Sequence, residues 1–116
     1  MTKTNKGKGI GIDIVEISRL KQAVDKWGDT FLHRVFNKKE ISYSMQKRFP
    51  YQHLAARFAA KEAVIKAFGN SPVTFKDIEI VNDKFGKPSC KIRKKKNHIH
   101  LSIAHTDKYA IATAII

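Results

Sequence analysis

The sequence predicts an α+β domain: an N-terminal strand, a set of helices, and then a mostly antiparallel sheet. Three observations predict it. Residues 9–15 alternate with period two, the middle of the chain carries helical spacing with stop signals, and the chain after Pro72 breaks into short strand-like runs. In the first run, Ile10, Ile12 and Ile14 share one face, and Gly11, Asp13 and Val15 the other. Residues 16–27 read as a helix, with Ile17, Leu20 and Val24 at helical spacing and Gly28 as a stop. Residues 31–36 are ambiguous. Asn37 is an N-cap with Glu40 three residues on, the pattern of a capping box, for a short helix through Met45. Pro50 breaks the chain ahead of a central helix that Gly69 ends. Residues 77–82 and 89–93 read as strands joined around Phe85-Gly86-Lys87-Pro88. Residues 99–104 and 109–116 form a second pair, joined at His105-Thr106-Asp107-Lys108.

At 116 residues the chain makes one domain, large enough to bury roughly two-thirds of its surface on folding. Its 42% apolar content is globular. No apolar run approaches ~18 residues, so no membrane span is expected, and the polar N-terminus lacks the apolar segment of a secretory signal. One cysteine, Cys90, leaves no partner for an intrachain disulfide or a multi-cysteine zinc site and points to a reducing, cytoplasmic setting. A net charge of +13 implies an anionic partner. The dense patch Arg93-Lys94-Lys95-Lys96 reads most simply as a solvated loop.

Projected as a helix, residues 52–69 place Leu54, Phe58, Ile65 and Phe68 in one narrow arc, with Lys61 among them. Glu62 lies at the edge of the arc and Lys66 one turn on. An ammonium in a core-facing stripe needs a route to water or an anion beside it. The helix therefore looks built to hold a carboxylate and two lysines beside negative charge. Asp13 is either a solvent-facing strand residue or half of a carboxylate pair with Glu62. The pair suits a hard cation such as Mg²⁺, which takes one or two carboxylates, waters and phosphate oxygens. Glu62 alone reads equally as an i,i+4 partner of Lys66, worth about 0.3 kcal/mol. His105 ends the face carrying Ile99, Leu101 and Ile103. It is a core histidine or, with Thr106, a donor to a phosphate oxygen. His98 and His100 read as surface residues rather than zinc ligands. Arg19 is either ordinary helix-surface charge or a docking contact for an acidic partner.

Three blocks together resemble the holo-[acyl-carrier-protein] synthases, the small bacterial type of 4′-phosphopantetheinyl transferase. They are Gly9-Ile10-Gly11-Ile12-Asp13-Ile14-Val15-Glu16; Arg57-Phe58-Ala59-Ala60-Lys61-Glu62-Ala63 with Lys66-Ala67-Phe68-Gly69; and Leu101-Ser102-Ile103-Ala104-His105-Thr106. Asp77-Ile78-Glu79-Ile80 and Gly86-Lys87-Pro88 match the connecting strands. The likeness covers residues 9–116. It implies that family's fold and its reaction: the 4′-phosphopantetheine arm of coenzyme A moves to a serine of apo acyl carrier protein, releasing adenosine 3′,5′-bisphosphate.

The resemblance further implies that Asp13 and Glu62 hold Mg²⁺ and that Lys66 lies near the phosphates. It puts Lys61, His105 and Thr106 in or beside the coenzyme site and turns Arg19 toward the carrier protein. Glu62, or a water it orients, is the candidate acceptor of the serine proton. A homotrimer with sites at subunit boundaries and a place in fatty acid biosynthesis are implied as well. Two departures stand out. Ala104 replaces a hydroxyl residue beside His105, and Val15 stands where larger relatives place a third carboxylate. Residues 1–8, outside the motif, are expected to be a disordered basic extension.

Charge alone also suits a nucleic-acid-binding module or a noncatalytic adaptor for acidic proteins. The first needs aromatic side chains on the sheet or a helical reader, and the strands offer Ile, Val and Ala instead. The second should bind without Mg²⁺ or coenzyme A and tolerate loss of Glu62.

Overall fold

The computed structural model describes residues 9–70, 72–96 and 98–116; the expectation for residues 1–8 lies outside them. The chain runs β1 (Ile10–Glu16), α1 (Ile17–Trp27), α2 (Asp29–Val35), α3 (Lys38–Met45), α4 (Pro50–Phe68), a 3₁₀ turn (Phe75–Asp77), β2 (Ile78–Asn82), β3 (Pro88–Ile92), β4 (His100–His105) and β5 (Tyr109–Ile115). The α+β expectation is met. The strands form two antiparallel sheets rather than one: β1-β5-β4, and the hairpin β2-β3.

The boundary signals act where the residues place them. Gly28 caps α1 and donates its N–H to the Val24 carbonyl. Asn37 Oδ1 accepts from the Glu40 N–H at 2.9 Å and Glu40 Oε1 accepts from the Asn37 N–H at 2.9 Å, so the capping box of α3 forms. Pro50 is the first residue of α4 rather than a break before it, because the first helical position needs no N–H. The segment around Phe31 becomes helix α2, fixed by burial of Leu32 and Val35. Asp83 builds the β2–β3 turn: its Oδ1 accepts from the N–H groups of Phe85 and Lys87, and Gly86 there takes a φ of 85°.

Helix α4 lies across one face of the β1-β5-β4 sheet, and the seam between them is lined by the smallest side chains. Ala59, Ala60, Ala63 and Ala67 of α4 are buried, as are Ala110, Ala112 and Ala114 of β5. A Cβ on Gly9 or Gly11 would overlap the backbone carbonyl of Ala67 or Ala63, so β1 approaches the helix at a distance only glycine permits. Helix α4 is buried on a second side too, where Leu54, Lys61 and Val64 meet the other helices and the hairpin.

The isoleucine face of β1 therefore points away from the core. Ile10, Ile12 and Ile14 are 70%, 61% and 60% exposed, and cross-strand pairing extends this face through Ile111, Thr113 and Ile115 to His100, Ser102 and Ala104. Ala104 thus lies on the opposite face from His105, not beside it: neighbouring residues of a strand alternate sides.

Candidate active site

Asp13 follows Gly11 on the helix-facing side of β1 and is only 14% exposed, which overturns its reading as a solvent-facing strand residue. Glu62 projects from α4 toward the same place. Both line one cleft of about 380 Å³, walled also by Arg19 and Leu20 of α1, Phe31 of α2 and Phe58 of α4. Two carboxylates more than forty-five residues apart in sequence therefore face one another across the α4–β1 seam.

Lys66 reaches from α4 to β1, donating to Asp13 Oδ1 at 3.1 Å and to the Ile12 carbonyl at 3.0 Å. Glu62 makes no ion pair among the described residues, although Lys66 stands one turn on. Partial burial and then the neighbouring Asp13 charge push the Glu62 carboxyl above the ordinary carboxylate range, with Lys66 opposing them. Three acids, Asp13, Glu16 and Glu62, stand against Arg19 and Lys66, so the cleft is one positive charge short. Val15 is a buried side chain in the wall of this cleft. Among the described residues no group of three His, Cys, Asp or Glu side chains gathers into a metal-binding set.

Lys61 lies elsewhere. It is fully buried, and its ammonium donates to Glu40 Oε1 at 2.6 Å, the Val35 carbonyl at 2.8 Å and the Phe75 carbonyl at 3.2 Å. Its anion is thus a protein carboxylate, and all three protons are committed to protein acceptors. In this arrangement the ammonium has no proton left for a coenzyme phosphate. Glu40 also accepts from the Ile80 N–H through Oε2 at 2.8 Å, so one carboxylate joins α3, α4 and β2.

His105 ends β4 and Thr106 follows it, on the opposite sheet edge from β1. His105 is exposed rather than closing a buried face. Thr106 Oγ1 accepts from the N–H groups of Lys108 and Tyr109 at 3.1 Å, shaping the turn, and donates to no group among the described residues. His105 is within electrostatic reach of His53, whose pKa is lowered by burial and then by Arg57, Lys47 and His105. From His53 to Glu62 along α4 is about 13 Å at 1.5 Å per residue. Within one chain the Asp13–Glu62–Lys66 group and the His105–Thr106 group are therefore separate.

Several neighbours went unassigned from sequence. Phe58 lies one turn before Glu62 and packs against Phe31 (centroids 6.3 Å apart) and Phe75 (5.5 Å). The i,i+4 spacing of Phe58 and Glu62 was the available signal for it. Arg57, buried, stacks on the Tyr43 ring at 4.2 Å and donates to Asn82 Oδ1. The Cys90 thiol, pushed up to about 12 by burial, stays protonated and is no nucleophile at neutral pH.

This fold and cleft define a class. The family model described as the 4′-phosphopantetheinyl transferase superfamily matches residues 9–114. The chain is 46% identical over 110 residues to a holo-[acyl-carrier-protein] synthase of Thermodesulfovibrio yellowstonii, covering 94% of this chain and 97% of that one. It is 44% identical over 119 residues to that of Halothermothrix orenii, covering 93% and 95%. Among solved structures it resembles the Bacillus anthracis holo-(acyl-carrier-protein) synthase in complex with CoA (3′,5′-ADP), with a TM-score of 0.81 and 38% identity over 92% of this chain and 93% of that one. The Helicobacter pylori holo-[acyl-carrier-protein] synthase in complex with coenzyme A gives a TM-score of 0.81 and 32% identity, covering 90% and 96%. The chain belongs to the holo-[acyl-carrier-protein] synthase family and is a phosphopantetheinyl transferase.

Proposed function

We propose that the chain moves the 4′-phosphopantetheine arm of coenzyme A onto a serine of apo acyl carrier protein in an Mg²⁺-dependent reaction that releases adenosine 3′,5′-bisphosphate. The observation that carries this reading is the convergence of Asp13 and Glu62 on one cleft, with Lys66 held against Asp13. The donor set fits the ion: two hard carboxylates short of positive charge, leaving other positions to water and phosphate oxygens. When bound there, Mg²⁺ would neutralise charge on the diphosphate oxygens.

Asp13 and Glu62 would hold the ion, and Lys66 would face the diphosphate. The serine Oγ attacks the phosphorus bearing the pantetheine arm. The bond from that phosphorus to the bridging oxygen breaks, and its electron pair leaves with the nucleotide bisphosphate. Glu62, or a water it orients, accepts the serine proton. Arg19, exposed at the cleft rim, meets the acidic carrier and orients it.

His105 and Thr106 complete the coenzyme site from a neighbouring chain, in a homotrimer with sites at subunit boundaries. Two features support the assembly: the coenzyme residues divide between opposite sheet edges, and an apolar face lies uncovered between those edges. The surplus positive charge serves an acidic carrier and a polyphosphorylated co-substrate, without nucleic acid. Among the described residues no helix is long and apolar enough to cross a membrane, and we place the reaction in the cytoplasm, in fatty acid biosynthesis.

Mass spectrometry of apo acyl carrier protein incubated with the chain, coenzyme A and Mg²⁺ tests the reading. A gain of one phosphopantetheine is expected, with no gain for a folded Glu62→Gln variant. No gain with the unaltered chain, or full conversion by that variant, would refute it.

A further inference from the structure

Three carboxylates, Asp13, Glu16 and Glu62, line the cleft together with Arg19, and among the described residues the only one of them in an ion pair is Asp13, with Lys66. Glu62 precedes Lys66 by four residues, the orientation that ordinarily forms a helical ion pair. Lys66 instead crosses to β1 and divides its protons between Asp13 Oδ1 and the Ile12 carbonyl. Its partner is fixed in a strand and 14% exposed, whereas the lysine side chain is 54% exposed. The pair thus joins a held anion to a long, flexible cation that is half in water.

We propose that Lys66 is an exchangeable counter-ion, which neutralises Asp13 while the cleft is empty, yields that oxygen to the divalent cation, and then turns to the coenzyme diphosphate. This rests on the metal-site reading above and adds a coupling to it. Lys66 and a divalent cation compete for the same carboxylate oxygen, so the lysine weakens metal binding in the absence of coenzyme. A coenzyme phosphate gives the ammonium another partner and removes that competition. Each ligand then raises the affinity for the other, by the same factor in both directions.

Mn²⁺ titration followed by electron paramagnetic resonance, on folded protein without substrate, tests the exchange. Lys66→Met is expected to bind Mn²⁺ about two- to fivefold more tightly than the unaltered chain, the range covered by a half-exposed ion pair. Lys66→Arg, which keeps the charge, should bind as the unaltered chain does. Adding coenzyme A should tighten Mn²⁺ binding to the unaltered chain more than to Lys66→Met. The exchange is overturned if Lys66→Met binds Mn²⁺ no more tightly while Asp13→Asn and Glu62→Gln lose it; the metal site then survives alone. Full Mn²⁺ affinity in those last two variants overturns the metal site itself.

Discussion

Glu40 shows how much one side chain can organise. Its carboxylate caps α3, neutralises the buried Lys61 and accepts the Ile80 N–H, all with almost no exposure to water. Burying an ion pair gains little over packing apolar groups there, but removing one partner strands the other. Glu40→Ala should therefore cost about 3–5 kcal/mol in urea unfolding, with only part of it recovered when Lys61→Met is added, because the α3 cap and the Ile80 N–H stay without their acceptor. Equal stability of the single and double variants would show that Lys61 is not the group left stranded. The sequence shows the stress at Lys61, a charge inside an apolar stripe, and it shows the capping role of Glu40. It does not show that these are one contact. They lie 21 residues apart on different helices, and local periodicity carries no information about which elements meet.

The seam between α4 and β1 sets the geometry of the cleft at the scale of elements. Gly11 lies against the Ala63 carbonyl, and Asp13 follows it on the same face. Gly11→Ala should push strand and helix apart at a cost of about 1–3 kcal/mol, seen as a lower Tm. Turnover should fall further than the loss of folded protein explains, since Asp13 moves away from Glu62. Wild-type turnover in this variant would detach the seam from the site. Caps, stops and strand pairs were legible because glycine, proline, asparagine and capping glutamate act locally. The orientation of β1 was not, since an all-isoleucine face normally marks a core. Here the covered face is the one with the least side chain, because backbone approach decides the packing. The order β1-β5-β4 and the division into two sheets arise from non-local pairing, which sequence spacing does not encode.

For the molecule as a whole, charge and apolar surface divide the work. The net charge of +13 attracts acidic partners over a distance, while the isoleucine face offers short-range cohesion. Ile12→Lys and Ile14→Lys change side chains that are 61% and 60% exposed, so the single chain should still fold. On the proposed trimer, light scattering should then report monomers, and the transferase reaction should fail even at saturating coenzyme A. A trimer that persists with full activity would move the subunit contact elsewhere.

The uncovered isoleucine face also bears on how output follows abundance. If each working centre borrows groups from an adjoining chain, lone copies are idle, and throughput rises more steeply than copy number until assembly saturates. Expression level would then act as a threshold rather than a dial.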